Sequence, residues 1–419
     1  MQHNIIQVEE RPPLLKSIPL SFQHLFAMFG ATVLVPFLLK IDPSTCLMIN
    51  GFGTLLYIFM TKGKIPSYLG SSFAFISPMT VTIGLYGYSA AQSGTLVFGI
   101  AFIIIALIIK TAGMRWIHII FPPAAMGAIT AVIGLELAPA AASMAGLTAK
   151  TPDPKIIFVS LSTLAVAILL SVAARGFFSV IPVLMAVIFG YVLSFFVGIV
   201  DLAPVAAAPW FKLPPLHHPE INLQAILITL PATLVVLAEH ISHLVVTGNI
   251  VGRDLMKEPG LHKSLFADGC SNILSGLFGA TPNTTYGENI GVMAITKVYS
   301  VWVIGGAAVL AILFSFVGKL AELIRSIPVP VMGGICILLF GVIAASGVRM
   351  LVDQKIDYSK QKNLVLTATI LCIGVSGAKI SLGVVELQGM ALASVVAIIM
   401  SLTFEVIYRL TGQGARDDE

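Results

Sequence analysis

The chain has 419 residues, 57% of them apolar and only 11% charged, with a mean hydropathy of +0.97. A water-soluble fold of this size could not hide so much apolar surface, so composition excludes a soluble enzyme and points to a chain threaded repeatedly through lipid. The formal net charge of +4 sits in short loops between apolar runs, where basic residues report orientation in a membrane and not affinity for nucleic acid.

Met1 to Lys16 is polar and the first apolar run, 18–39, is long enough to span, so no cleavable signal peptide is expected. Apolar windows bounded by charge or Pro/Gly clusters then place spans at 45–61, 66–86, 91–112, 117–138, 155–174, 178–200, 223–248, 264–280, 281–298, 299–318, 327–347, 363–379 and 388–408, fourteen in all. The third and tenth are the odd ones. "IPSYLGSSFAFISPM" and "ATPNTTYGENIGVM" are polar, punctuated by Gly and Pro, and poor as continuous helices. Loop charge decides that both cross: with fourteen spans and a cytoplasmic N-terminus, 17 of the 24 Lys and Arg residues fall inside, and removing the two odd spans lowers this to 14. Each odd span reads as a short extended piece followed by a half helix. Such pieces at membrane depth must be satisfied within protein or beside a cavity.

An internal repeat accompanies the two breaks. Adding 215 to His24 gives Glu239 and to Phe73 gives Glu288, and "FPPAAMGAI" from Phe121 matches "IPVPVMGGI" from Ile327 at offset 206. The fold class expected is an all-α polytopic membrane protein of fourteen segments in a seven-plus-seven repeat. Seven is odd, so the halves are inverted, and interrupted segments in corresponding halves mark the central site of a transporter.

Polar groups at depth come from four segments: Gln23 and His24 on span one, Ser71, Ser72 and Phe73 at the break of span three, Glu239, His240 and His243 on span eight, and Tyr286 to Asn289 on span ten. Ionisable groups inside a membrane are costly enough to mark function. Glu239 and His243 are four apart and share a helix face, where they can exchange a proton; His240 points roughly 100° away and reads as a contact to a neighbouring helix. Asp268 on span nine is open between a helix-to-helix hydrogen bond and support of the site. Glu136 and Glu405, near span ends, read as snorkelling to the interface. Cys46, Cys270, Cys336 and Cys372 lack pairing or ligand spacing and read as packing residues. No phosphate loop, zinc-ligand cluster or nucleophile elbow occurs, so no metal, cofactor or enzymatic activity is expected.

"ENIGVMAITK" at 288–297 and Gln23-His24, with "QHLFAMFGATVLVP", "GKIPSYLGSSFAFISP", "FPPAAMGAI", "AEHISHLVVTGNIV" and "GATPNTTYGENIGVMAIT", resemble the nucleobase/ascorbate transporter family, and within it the uracil-carrying proton symporters, along essentially the full chain. The resemblance implies a core domain of residues 1–116 and 223–320 (spans one to four and eight to eleven). It also implies a gate domain of 117–222 and 321–419, a homodimer, and an inner-membrane location with both termini cytoplasmic. It implies uracil contacts from Glu239, Glu288 and the backbone at Phe73 and Gly287, with His243 tied to proton coupling. Purine-carrying relatives often have Gln where Glu288 stands, which favours a pyrimidine. Tyr286 joins the expected binding set, and Gln23, His24, Ser72 and Asn289 are expected around it. The chemistry agrees: uracil is a planar imide with two N-H donors and two carbonyls, suited to carboxylates and to the free N-H groups of half-helix starts. Glu239 reads as the shared substrate and proton site, and Glu288 as a fixed acceptor. The alternatives are a proton-coupled purine carrier of the same fold or a nucleobase sensor that does not transport. An anion exchanger should carry a basic residue, not two acids, at the breaks.

Overall fold

The computed structural model describes residues 5–179, 181–382 and 385–411. Helices α1 (Leu14–Ala27), α2 (Phe29–Leu39) and α3 (Pro43–Met60) precede strand β1 (Leu69–Ser71), a 3₁₀ turn (Phe73–Phe75) and α4 (Ile76–Tyr86). Next come α5 (Tyr88–Ala112), α6 (Arg115–Ile120), α7 (Pro123–Met144), α8 (Pro154–Ala173), α9 (Pro182–Val197) and the short α10 (Ala203–Ala207). The second half runs α11 (Leu223–Thr229), α12 (Ala232–Val251), α13 (Leu261–Phe278), β2 (Asn283–Thr285), α14 (Gly287–Thr296) and α15 (Val301–Ser315). It closes with α16 (Gly318–Arg325), α17 (Val329–Asp353), α18 (Gln361–Val375), the hairpin β3 (Lys379–Leu382) and β4 (Val385–Gln388), and α19 (Gly389–Thr411).

Local chemistry sets these boundaries. Asp42, Asp153 and Asn222 cap α3, α8 and α11 through their side-chain oxygens, and Pro occupies the first turn of α3, α7, α8, α9 and α17, where its missing N-H costs nothing. Pro122 and Pro231 separate α6 from α7 and α11 from α12. Eight of the described helical stretches are long and apolar enough to cross a membrane.

The densest packing runs within two sets: α5 on α13, α13 and α15 on α3, and α1 on α15 in one; α7 on α17, α17 on α8, α8 on α9 and α18 on α7 and α19 in the other. Each set has one glycine pair where backbones nearly touch. A Cβ on Gly99 would lie 2.6 Å from the Gly269 carbonyl oxygen, and one on Gly347 would lie 2.6 Å from that of Gly127. Small residues at such crossings replace a hydrophobic drive that lipid does not supply.

β1 and β2 pair antiparallel between the two halves of the chain, with Leu69 opposite Thr285 and Ser71 opposite Asn283. The "SSFAF" and "TPNTTYG" segments are therefore strands that lead through a turn into a helix. Three features differ from the sequence reading. Span eleven ends at Ser315 and is followed by α16, an amphipathic helix whose Arg325 bonds Asp42 at 2.5 Å and Glu322 at 2.8 Å; its few apolar residues give no spanning signal. Lys379–Leu382 and Val385–Gln388, expected as a span end and loop, form the antiparallel β3–β4 pair. Span five breaks at Pro122 and runs on to Met144.

On the other face, the segment before α1 straps the loop between α14 and α15. Tyr299 and Val301 donate to the Ile6 and Val8 carbonyls at 2.9 Å, and Arg253 grips Glu9 with both guanidinium nitrogens. That guanidinium holds the Glu9 carboxyl below its ordinary range.

Candidate functional site

The sheet is where the site is built, because each strand delivers the chain into a helix start. β1 leads through Ser72 to Phe73, and β2 through Tyr286 to Gly287, the first residue of α14. The backbone N-H groups at such a start have no partner within the helix and favour an acceptor. Outer edges of the sheet are closed by side chains. Thr54 Oγ1 accepts the Leu69 N-H at 2.9 Å on one side; Asn272 Oδ1 accepts the Asn283 N-H at 2.7 Å, and its amide donates to the Asn283 carbonyl at 3.0 Å, on the other. Both residues escaped the sequence reading, since one polar residue in an apolar helix has no distinguishing pattern.

Helix α12 packs against the turn at Phe73, β2 and α14 and divides its polar residues between two faces. His240 is fully buried, with Nε2 2.7 Å from Ser264 Oγ and Nδ1 2.8 Å from Asp268 Oδ2, and Ser264 in turn meets the Tyr57 hydroxyl at 2.6 Å. His240 is thus the contact to a neighbouring helix that its direction implied, and Asp268, left open between two roles, is its partner on α13.

On the other face Glu239 and His243 are half-buried, as are Gly287 and Glu288 across from them, while the residues around them are buried. His243 Nδ1 lies 3.1 Å from Thr285 Oγ1. Gly287 lets the imidazole approach the start of α14, since a Cβ there would lie 3.3 Å from Nε2. Glu239 Oε2 is buried and has no hydrogen-bond partner among the described residues, and Glu288 and Asp268 are the charges within its electrostatic reach. A buried carboxylate oxygen left without a donor is costly, and it asks for one from a bound molecule or a proton. Phe73 is buried, its ring edge-on to Phe340 of α17 with centroids 6.0 Å apart, so it closes the site where the two helix sets meet.

The surrounding residues divide. Asn289 donates to His24 Nδ1 at 3.1 Å and to the His24 carbonyl at 3.3 Å, which joins α14 to α1. Gln23 is buried beside it in sequence, and the Ser72 hydroxyl is buried without a partner among the described residues. Tyr286 is placed differently from the expectation of a substrate contact: its hydroxyl donates to the Ser71 carbonyl at 3.1 Å and its ring fills the space above Gly70, where a Cβ would sit 2.2 Å from ring carbons. Its side chain braces the sheet. Glu136 does not snorkel; Oε2 accepts the Met390 N-H at 2.7 Å, at the start of α19.

A model of a permease family matches residues 15–383. The chain belongs to that family. A uracil permease of Paenibacillus larvae is 60% identical over 98% of this chain and 99% of its own length; the uracil permease of Escherichia coli K12 is 60% identical over 97% and 95%. That of Bacillus subtilis is 45% identical over 94% of each. Among solved structures, SLC26A9 superposes with a TM-score of 0.70 at 11% identity, covering 96% of this chain and 66% of that one. The transmembrane domain of the cyanobacterial bicarbonate transporter BicA gives 0.59 at 14% identity, covering 96% and 99%. The chain is thus an integral, multi-pass membrane permease and not an enzyme.

The His240–Asp268 contact yields a prediction. Asp268→Ala leaves a buried imidazole facing an empty space and is expected to cost about 3–5 kcal/mol of stability, as when one partner of a buried pair is removed. Denaturant unfolding in detergent measures it, and a loss below about 1 kcal/mol would show that the pair does not hold α12 to α13.

Proposed function

We propose that this permease imports uracil across the inner membrane by proton symport. The observation that carries the reading is the half-buried Glu239, one oxygen of which lacks a donor, facing Glu288 at the start of a half helix. The uracil permeases it resembles at 60% identity support the substrate. Two carboxylates accept the two imide N-H groups, and the free N-H groups after Ser72 and Tyr286 meet the carbonyls. Glu288, at the positive end of α14, is the fixed acceptor. Glu239 carries the proton, because it is the acid at depth whose buried oxygen no described residue satisfies. His243, one turn along α12, tunes it.

In this reading the fourteen spans form a seven-plus-seven inverted repeat, and the repeat is supported by the two strand-to-helix segments that pair across the halves. Residues 1–116 and 223–320 form the core and 117–222 and 321–419 the gate, which move past each other with the Phe73–Phe340 contact at their seam. A homodimer with both termini cytoplasmic completes it.

Accumulation of labelled uracil in proteoliposomes tests the proposal. It is expected to follow an imposed inward proton gradient, and full accumulation after a protonophore has collapsed that gradient would refute symport. Glu288→Ala is expected to abolish calorimetrically measurable binding, since an imide N-H loses its acceptor at a cost of about 1–3 kcal/mol or more. Binding within about threefold of wild type would make Glu288 structural. His243→Ala separates binding from coupling: uracil binding by thermal shift should persist while gradient-driven accumulation largely disappears. Loss of both would put His243 in the binding site, and retention of both would remove it from the mechanism.

A further inference from the structure

A cavity of about 270 Å³ opens where α4 and α12 meet α7, α19 and the β3–β4 hairpin. It lies beside the site above, not within it, since Ala74, the residue after Phe73, is in its wall and the Glu239–Glu288 pair is not. The wall carries Glu136 of α7, Ser77 of α4 and Lys379, Ser381 and Gln388 of the β3–β4 pair, set among apolar residues such as Val81 and Met390.

Glu136 is arranged as an acceptor. Its Oε2 takes the Met390 N-H at 2.7 Å, and Gly389, with φ of +52°, lets the carboxylate lie against the start of α19, where a Cβ would come within 2.3 Å of Oε1. Ser77, one turn beyond Phe73 on α4, lies in the same wall as this carboxylate. One acidic group thus faces the half helix that leaves the Phe73 site. Gln388 adds both a donor and an acceptor, and the apolar walls offer a face to a flat ring.

We propose that this cavity is a second, transient binding site for the same substrate class, a small neutral heterocycle with ring N-H donors and carbonyl acceptors, occupied on its passage to or from the Phe73 site. Glu136 accepts a ring N-H and Gln388 meets a carbonyl. The volume suits a single ring, being at the small end of ligand pockets. Occupancy is brief because the cavity is open on one side and offers one carboxylate, already shared with Met390, where the inner site offers two. The inference rests on the uracil transport reading and adds a step to it.

Glu136→Gln keeps the side-chain shape and an oxygen for the Met390 N-H while removing the charge. Initial uptake rates in proteoliposomes are expected to show a KM raised about tenfold, as for loss of one charge-assisted hydrogen bond, with equilibrium uracil affinity in detergent within about twofold of wild type. Gln388→Leu leaves the Glu136–Met390 bond alone and should raise KM in the same way; it decides the matter if the Glu136 variant does not fold. A KM within about twofold of wild type, or a fall in affinity that parallels the fall in uptake, would overturn the second site. Failure of the wild-type protein to accumulate uracil would overturn the transport reading and this site with it, whereas failure confined to the variants overturns the second site alone.

Discussion

Two segments leave helical geometry inside a molecule that is otherwise apolar and helical, and neither could do so alone. A lone three-residue strand in hydrocarbon strands its backbone donors and acceptors at several kcal/mol each. β1 and β2 resolve this by pairing with one another across some two hundred residues of sequence, but pairing satisfies only the inner edges. Thr54 and Asn272 close the outer ones from α3 and α13. Asn283 is further anchored by donating to Ser271 and Ser275, so the sheet is bonded to α3 on one edge and to α13 on the other, and α13 is itself held against α5 at the Gly99–Gly269 contact. The sheet in turn fixes where α14 begins and where Phe73 stands.

Helix α12 can then serve two purposes at once because its faces are chemically separate. The His240 face is taken up by Ser264, Asp268 and, through Ser264, Tyr57, in contacts of 2.7, 2.8 and 2.6 Å. The Glu239 face is left incomplete, with a carboxylate oxygen that no described residue satisfies. The His240 contacts hold the helix in place, since it cannot rotate to move the Glu239 face without breaking them. The same division lets an apolar helix carry Glu239, His240 and His243 at depth.

Much of this was legible from residue order. The broken character of the third and tenth segments, the i to i+4 relation of Glu239 and His243, and the divergence of His240 from their face follow from composition and helical periodicity, which act over a few residues. What escaped depends on contacts between distant elements. Thr54 and Asn272 acquire their roles only when a strand edge is laid beside them. Glu136 looked like an interfacial acid because it lies near a span end, yet the bend at Gly389 brings a helix start to it. Helix α16 and the β3–β4 hairpin carry too few apolar residues for a spanning signal and are held instead by Asp42–Arg325 and by cross-strand pairing.

Fold and selectivity separate at the same point. The backbone plan is shared with SLC26A9 and with the transmembrane domain of BicA at 11% and 14% identity, where likeness extends to the fold alone. Strand-to-helix breaks aim the positive ends of half helices at one place, which by itself favours an anion. On the proposed reading, Glu239 and Glu288 placed there offset that field and repel a second negative charge, which suits the breaks to a neutral molecule rich in N-H donors. Selection of ligand charge, on that same reading, resides in two side chains laid over a backbone field of the opposite sign.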